Sequence, residues 1–214
     1  MKTIQNRIRE AINDSAATEE QGAFFEKALR ETAAIAQERA NRALFVYLLF
    51  VTSWFLIRNA AVSAVQFIGL KFDDTDIIVL ALSPMAAFSY YRYTCFAALA
   101  ELNHVAVRSL YVEVMKPFSS RGLTELLIPP SFIHIENTLA NIENTGFFSE
   151  ATNAWGILVL LIMHLGPAVP LVWMIYSIMS SPVVSIGWSV AAGAIAALVL
   201  VRTWMVIIQM MRAV

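Results

Sequence analysis

The sequence predicts an all-α fold: a polytopic membrane protein with four transmembrane helices and cytoplasmic helical extensions. Three observations carry this expectation. Charged residues make up 14% of the chain, against roughly 25% in soluble domains. The hydrophobic residues, 58% of the total, gather into long stretches, and about 18 or more weakly polar residues in a row read as a membrane span. Lys and Arg are unevenly shared among the segments between those stretches, which is how a membrane protein records its orientation.

Residues 1–42 form the first segment and are read as cytoplasmic. They are charged throughout, so no secretory signal is expected there. Neither end shows a lipidation box, which leaves anchoring to internal spans. Ile4, Ile8 and Ile12 recur at helical spacing, Asn13-Asp14-Ser15 reads as a break, and Thr18 with Gln21 resembles a capping box. A second helix then carries Phe24, Phe25, Ala28, Leu29 and Ile35 and is expected to run into the first span. Its apolar side suits packing on the rest of the chain, an interfacial position or a partner. Seven acids balance seven bases in residues 1–42, which weakens the lipid-surface option.

The first pair of spans falls in residues 43–98. Ala43–Ile57 alone covers about 22 Å of a roughly 30 Å core, so the first helix is expected to continue past Arg58 to about Val65. The second runs from Ile77 to about Ala98, across Arg92. Either arginine could mark an anion path, but snorkelling to headgroups is the favoured reading. The helical spacing of Leu99, Leu102, Val105, Ala106, Leu110 and Val114 then carries the second helix into the cytoplasm as far as Pro117, about 60 Å in all.

Residues 99–153 make the central cytoplasmic segment, which holds six acids and three bases. Its second amphipathic helix would carry Phe132, Ile135, Leu139 and Ile142 on one side. The acidic excess suits a basic protein surface or simple solubility. Net charge is −1, so direct binding of nucleic acid is not expected.

Residues 154–201 hold a hairpin of spans three (Ala154–Met179) and four (Val183–Val201), joined by Ser180-Ser181-Pro182. Residues 202–214 are read as a cytoplasmic tail that opens on Arg202. The loop between spans one and two carries Lys71 alone, beside Asp73, Asp74 and Asp76, which puts both termini and the central segment in the cytoplasm. Trp155, Trp204, Tyr90, Tyr91 and Tyr93 then fall at the inner boundary, and Trp173, Tyr176 and Trp188 near the outer one.

Candidate sites are few. Glu101 and His104 stand one helical turn apart, the Glu-x-x-His spacing of di-iron bundles, and are weak metal candidates beside the ordinary reading of a surface pair. His134 and Glu136 could add donors. Cys95, the one cysteine, excludes a disulfide within the chain and reads as a packing residue. Catalytic motifs are missing from the sequence, so no catalytic residue, metal or cofactor is assigned. No Asp or Glu lies inside the four spans, which counts against a self-sufficient proton-coupled transporter.

The third span is the irregular one. His164, Gly166, Pro167 and Pro170 fall at its middle. Each proline lacks a donor, and the carbonyls it frees must be covered by protein or water. A structural kink is favoured, with His164 within reach of such a carbonyl; a gate or conduit is the alternative. In span four, Ser185, Ser189, Gly193 and Ala197 form a small-xxx-small stripe. It would serve either the hairpin or a second subunit, and a homo-oligomer is expected.

In layout, two spans, a cytoplasmic segment and two further spans resemble the stator-type proton channels of flagellar motors. Their cytoplasmic domain is much longer than residues 99–153, so that likeness ranks lower. The plan is also similar to the small four-span membrane subunits of bacterial anti-phage systems of the Kiwa type. That resemblance implies a multi-pass bacterial inner-membrane protein that oligomerises while a cytosolic partner acts on nucleic acid in antiviral defence. The expected function is therefore non-enzymatic: docking of a cytosolic protein at residues 1–42 and 99–153, with a response to the state of the bilayer. The alternatives are an ion channel or pore lined by the kinked third span, and a membrane metalloenzyme at Glu101 and His104.

Overall fold

The computed structural model describes residues 10, 19–59, 65–67, 70–72, 75–113, 165–180 and 185–211. Four helices dominate: α1 (Glu19–Arg58), α2 (Thr75–Glu113), α3 (Ala168–Ser180) and α4 (Ile186–Met211). One short antiparallel pair departs from the all-α expectation. Its strands are β1 (Val65–Phe67) and β2 (Leu70–Phe72), in the register Val65↔Phe72, Gln66↔Lys71, Phe67↔Leu70. Among the described residues two helices are long and apolar enough to cross a membrane, Gln21–Arg58 and Ile186–Met210, and Ala168–Ser180 is a shorter apolar helix.

By compactness the chain divides into two units. One comprises Met1–Glu38, Phe96–Met163 and Ile207–Val214, the other Arg39–Cys95 and His164–Val206.

The second unit packs alanine and hydroxyl side chains together with a few large ones. Along α1, Ala40, Ala43, Tyr47, Val51, Trp54 and Ile57 are buried. They recur at three- and four-residue steps, the spacing of a helix pressed along its length against neighbours. On α2 the buried set is Val79, Leu82, Ser83, Ala86, Ala87, Ser89, Tyr90, Tyr93 and Thr94. On α4 it is Ser189, Ala192, Ala196, Leu200 and Thr203, together with Gly193. Many large apolar residues go outward: Phe45, Leu48 and Leu49 on α1, Met85 and Phe88 on α2, and Ile186, Ile195 and Leu198 on α4 are all exposed. Only 28% and 33% of the apolar windows of α1 and α4 are buried. The core helix of a soluble domain is buried far more completely.

In the first unit, α1 buries Gly22, Ala33 and Ala36, while Phe24 is 71% and Phe25 52% exposed. The expected apolar face of α1 is thus corrected: the aromatic residues lie outside and the alanine face inside, because residues without a long side chain permit the closest helix approach. The face expected on α2 is also rotated. Ala100, His104, Val105, Val107 and Leu110 are buried, whereas Leu99 is exposed.

Several boundaries differ from the sequence reading. The first helix stops at Arg58 rather than near Val65 and gains its length at the N-terminal side, reaching back to Glu19. A cation in the last turn complements the partial negative charge of a helix C-terminus. The second helix runs 39 residues and is continuous across Pro84. The fourth extends through Arg202 to Met211, so Arg202 is a mid-helix residue and does not open a separate tail. The segments with Ile4, Ile8, Ile12 and Thr18, the 114–164 region and Pro182 lie outside the described residues.

Candidate functional site

The described part of the third span resolves how a broken helix is accommodated. Leu165 is helical, Gly166 and Pro167 form a turn, and α3 begins at Ala168. Pro170 therefore does not interrupt a helix, as the sequence reading had it. It sits in the first turn of a new one, where backbone N–H groups have no intrahelical acceptor and their loss costs nothing. The Gly166 carbonyl, which Pro170 cannot reach, accepts the Val169 N–H at 3.2 Å.

A side chain from α1 completes the break. The Tyr47 hydroxyl donates to the Pro167 carbonyl. The sequence reading gave such a role to His164, which lies outside the described residues. Tyr47 is 1% exposed, and its ring lies 5.7 Å from that of Tyr90, whose ring stacks on Tyr93 at 6.3 Å and 20°. Thr94, one turn after Tyr90, donates its hydroxyl to the Tyr90 carbonyl at 3.1 Å. This is back-bonding that satisfies a buried Thr without a second helix. The result is an aromatic wall from α1 and α2 with one phenol directed at exposed backbone. Tyr90 and Tyr93 are buried side chains. Trp173, Tyr176, Trp188 and Trp204 are exposed, as belt residues would be.

The small-residue stripe divides. Ser185 is a cap: its Oγ accepts the Trp188 N–H at 3.4 Å and its carbonyl accepts the Ser189 N–H at 3.0 Å. Ser189 and Gly193 are buried and Ala197 is half-buried. Gly193 faces α3, since a Cβ there would stand 2.9 Å from Met179 Cγ and 3.2 Å from its sulfur. This contact is within the hairpin. Ala192 and Ala196, missed in the sequence, continue the packed face.

Among the described residues of this unit, three buried polar atoms make no hydrogen bond within the protein: Trp54 Nε1, Ser83 Oγ and Ser189 Oγ. Among the described residues no Asp, Glu, Lys or Arg is buried. The inward residues of α3 are all apolar: Ala168, Leu171, Met174 and Ile178. Arg58 ends α1, and Arg92 is exposed on the same face of α2 as Met85 and Phe88.

Glu101 is half-buried and His104 buried, one turn apart on α2. Among the described residues no group of three or more His, Cys, Asp or Glu could hold a metal. His134 and Glu136 lie outside the described residues. Cys95 is a half-buried free thiol.

No family model, curated protein or solved structure matches the chain.

Proposed function

We propose that this chain is a non-enzymatic, oligomeric inner-membrane protein that crosses the bilayer four times. Residues 1–42 and 99–153 stay in the cytoplasm and dock a cytosolic protein, and the membrane part responds to the state of the bilayer. Antiviral defence in a bacterium, in the manner of the Kiwa-type membrane subunits, is the biological setting that this plan suggests.

The single observation that carries the reading is the large exposed apolar surface of the second unit. Phe45, Leu48 and Leu49 on α1, Phe88 on α2, and Ile186, Trp188, Ile195 and Leu198 on α4 face outward, while alanine and hydroxyl side chains share the interior with Tyr47, Trp54, Tyr90 and Leu171. In water such a surface would drive aggregation. In lipid it is the stable arrangement, because small residues let helices approach and large ones meet acyl chains. The second unit comprises Arg39–Cys95 and His164–Val206, close to the boundaries drawn for the two pairs of spans, and this supports counting α2 and the third span as membrane helices. Docking is supported by Phe24 and Phe25, exposed side by side on a charged helix with rings 6.0 Å apart and edge to face. The apolar inward face of α3 gives no support to a pore lined by that helix.

Cysteines placed singly in residues 1–18, 60–64, 118–122 and 212–214 of a Cys95→Ala background test the topology. All but the 60–64 site are expected to react with an impermeant maleimide only from the cytoplasmic side. An N-terminus and C-terminus on opposite sides would overturn the reading. For docking, Phe24→Ser/Phe25→Ser is expected to abolish co-purification of a cytosolic protein while the membrane yield stays unchanged. Undiminished co-purification would remove that face from the proposal.

A further inference from the structure

We propose that Arg92 on α2 and Arg202 on α4 bind the phosphates of anionic phospholipids in the inner leaflet. The inference rests on the four-span reading and deepens it by naming the lipid that the membrane part selects.

The two arginines are displayed in the same way. On α2, Met85, Phe88 and Arg92 follow one another at steps of three and four residues, which is one face of a helix, and all three are exposed. On α4, Ile195, Leu198 and Arg202 repeat that spacing and are exposed as well. Residues 77–91 and 186–201 carry no charge. Each guanidinium is therefore the first charge met along an apolar outer face.

Their depths agree. Arg92 comes 17 residues after Thr75, where α2 starts, and Arg202 comes 16 residues after Ile186, where α4 starts. Along a helix these are rises of about 26 Å and about 24 Å, close to the thickness of a bilayer's hydrocarbon core, roughly 30 Å. In the four-span reading both helices run from the outer side to the inner one, so both cations arrive at the inner leaflet. Exposed Trp188 and Trp204 mark the same thickness on α4. They stand about 24 Å apart along its axis, as members of two aromatic belts would.

The chemistry of the head decides the ligand. A guanidinium offers five N–H donors in a planar fork that matches phosphate oxygens two at a time. Its apolar stem lies along the helix face while the head reaches the phosphate layer. A zwitterionic lipid offers the same phosphate with its own amine beside it. Phosphatidylglycerol brings no such amine, so its net negative charge favours it.

Native mass spectrometry of the purified full chain, titrated with phosphatidylglycerol or with phosphatidylcholine of the same acyl chains, tests this. The anionic lipid is expected to bind about fivefold more tightly, the preference a single cation near the headgroups supplies. Arg92→Gln and Arg202→Gln should each lower the preference and the double variant should remove it, whereas Arg92→Lys/Arg202→Lys keeps most of it. Equal affinities in the unaltered protein would overturn the proposal. So would a preference that survives the double glutamine variant. Nitroxide labels at Phe88→Cys and Ile195→Cys, in a Cys95→Ala background and in vesicles of the two lipids, separate this proposal from the reading beneath it. Access to oxygen well above access to a nickel chelate is expected at both. Lipid-like access without a preference for the anionic lipid overturns this proposal alone. Water-like access at both positions overturns the membrane reading, and the lipid contact falls with it.

Discussion

Proline occurs in both α2 and the third span, with opposite results. Pro84 stands inside a 39-residue helix that continues on both sides of it, whereas Gly166-Pro167 ends one helix and α3 starts afresh at Ala168. A single missing N–H leaves one carbonyl to be re-satisfied, and a helix held by neighbours on a wide buried face stays in register. At the third span, glycine supplies the conformational freedom for a turn, and Pro167 and Pro170 fit the start of the next helix better than the interior of the last one. A donor is also waiting, in the form of Tyr47. The pair teaches that a helix breaks where the sequence makes a new start inexpensive and a neighbour satisfies the opened backbone. Proline by itself is not enough.

This comparison can be tested by removing the supports of α3 one at a time and contrasting them with α2. Gly193→Leu is expected to have the largest effect. Its added atoms meet Met179 at 2.9 Å from the Cβ onward, and overpacking of this kind costs about 1–3 kcal/mol. Unfolding of the protein in bicelles under a steric trap measures it, and an unchanged midpoint would mean that Met179 swings clear. Next comes Tyr47→Phe, which deletes the hydroxyl at Pro167 and keeps the ring packing. The expected loss is about 1 kcal/mol, within the range for interhelical hydrogen bonds in membranes. Pro84→Ala should change stability by less than Tyr47→Phe does. A larger gain would show that Pro84 strains α2 and would undo the contrast. The smallest effect is expected for Ser83→Ala, neutral to slightly stabilising, because the hydroxyl is buried without a partner in the protein. A clear loss there would reveal a bound water.

Much of the helical plan was legible from residue spacing. The run of α1 out of the charged N-terminal region, the length of α2 and the irregularity around Gly166 all follow from apolar periodicity and from the two helix-breaking residue types. Helix faces were less legible. A hydrophobic stripe ordinarily marks the buried side, but α1 carries an alanine stripe as well as an aromatic one, and it packs by the alanines: Ala33 and Ala36 lie inside while Phe24 and Phe25 lie outside. Tyr47 carried no signal in the chain, since the carbonyl it meets is 120 residues away. Tyr90 and Tyr93 looked like boundary residues because their hydroxyls favour water. Their burial depends on neighbours that one sequence does not display. The β1–β2 pair escaped notice because three-residue strands are too short to set up a visible alternation.

The contact between Gly193 and Met179 has a bearing on how the hairpin could be altered. It fixes the angular phase of α4, since only one residue on that side of the helix lacks a side chain. A single residue inserted within α4 ahead of Gly193 would turn the helix beyond it by about 100° about its axis, carrying Gly193 away and bringing a side chain against Met179. The helix therefore tolerates substitution on its outer face far better than a change of length ahead of Gly193.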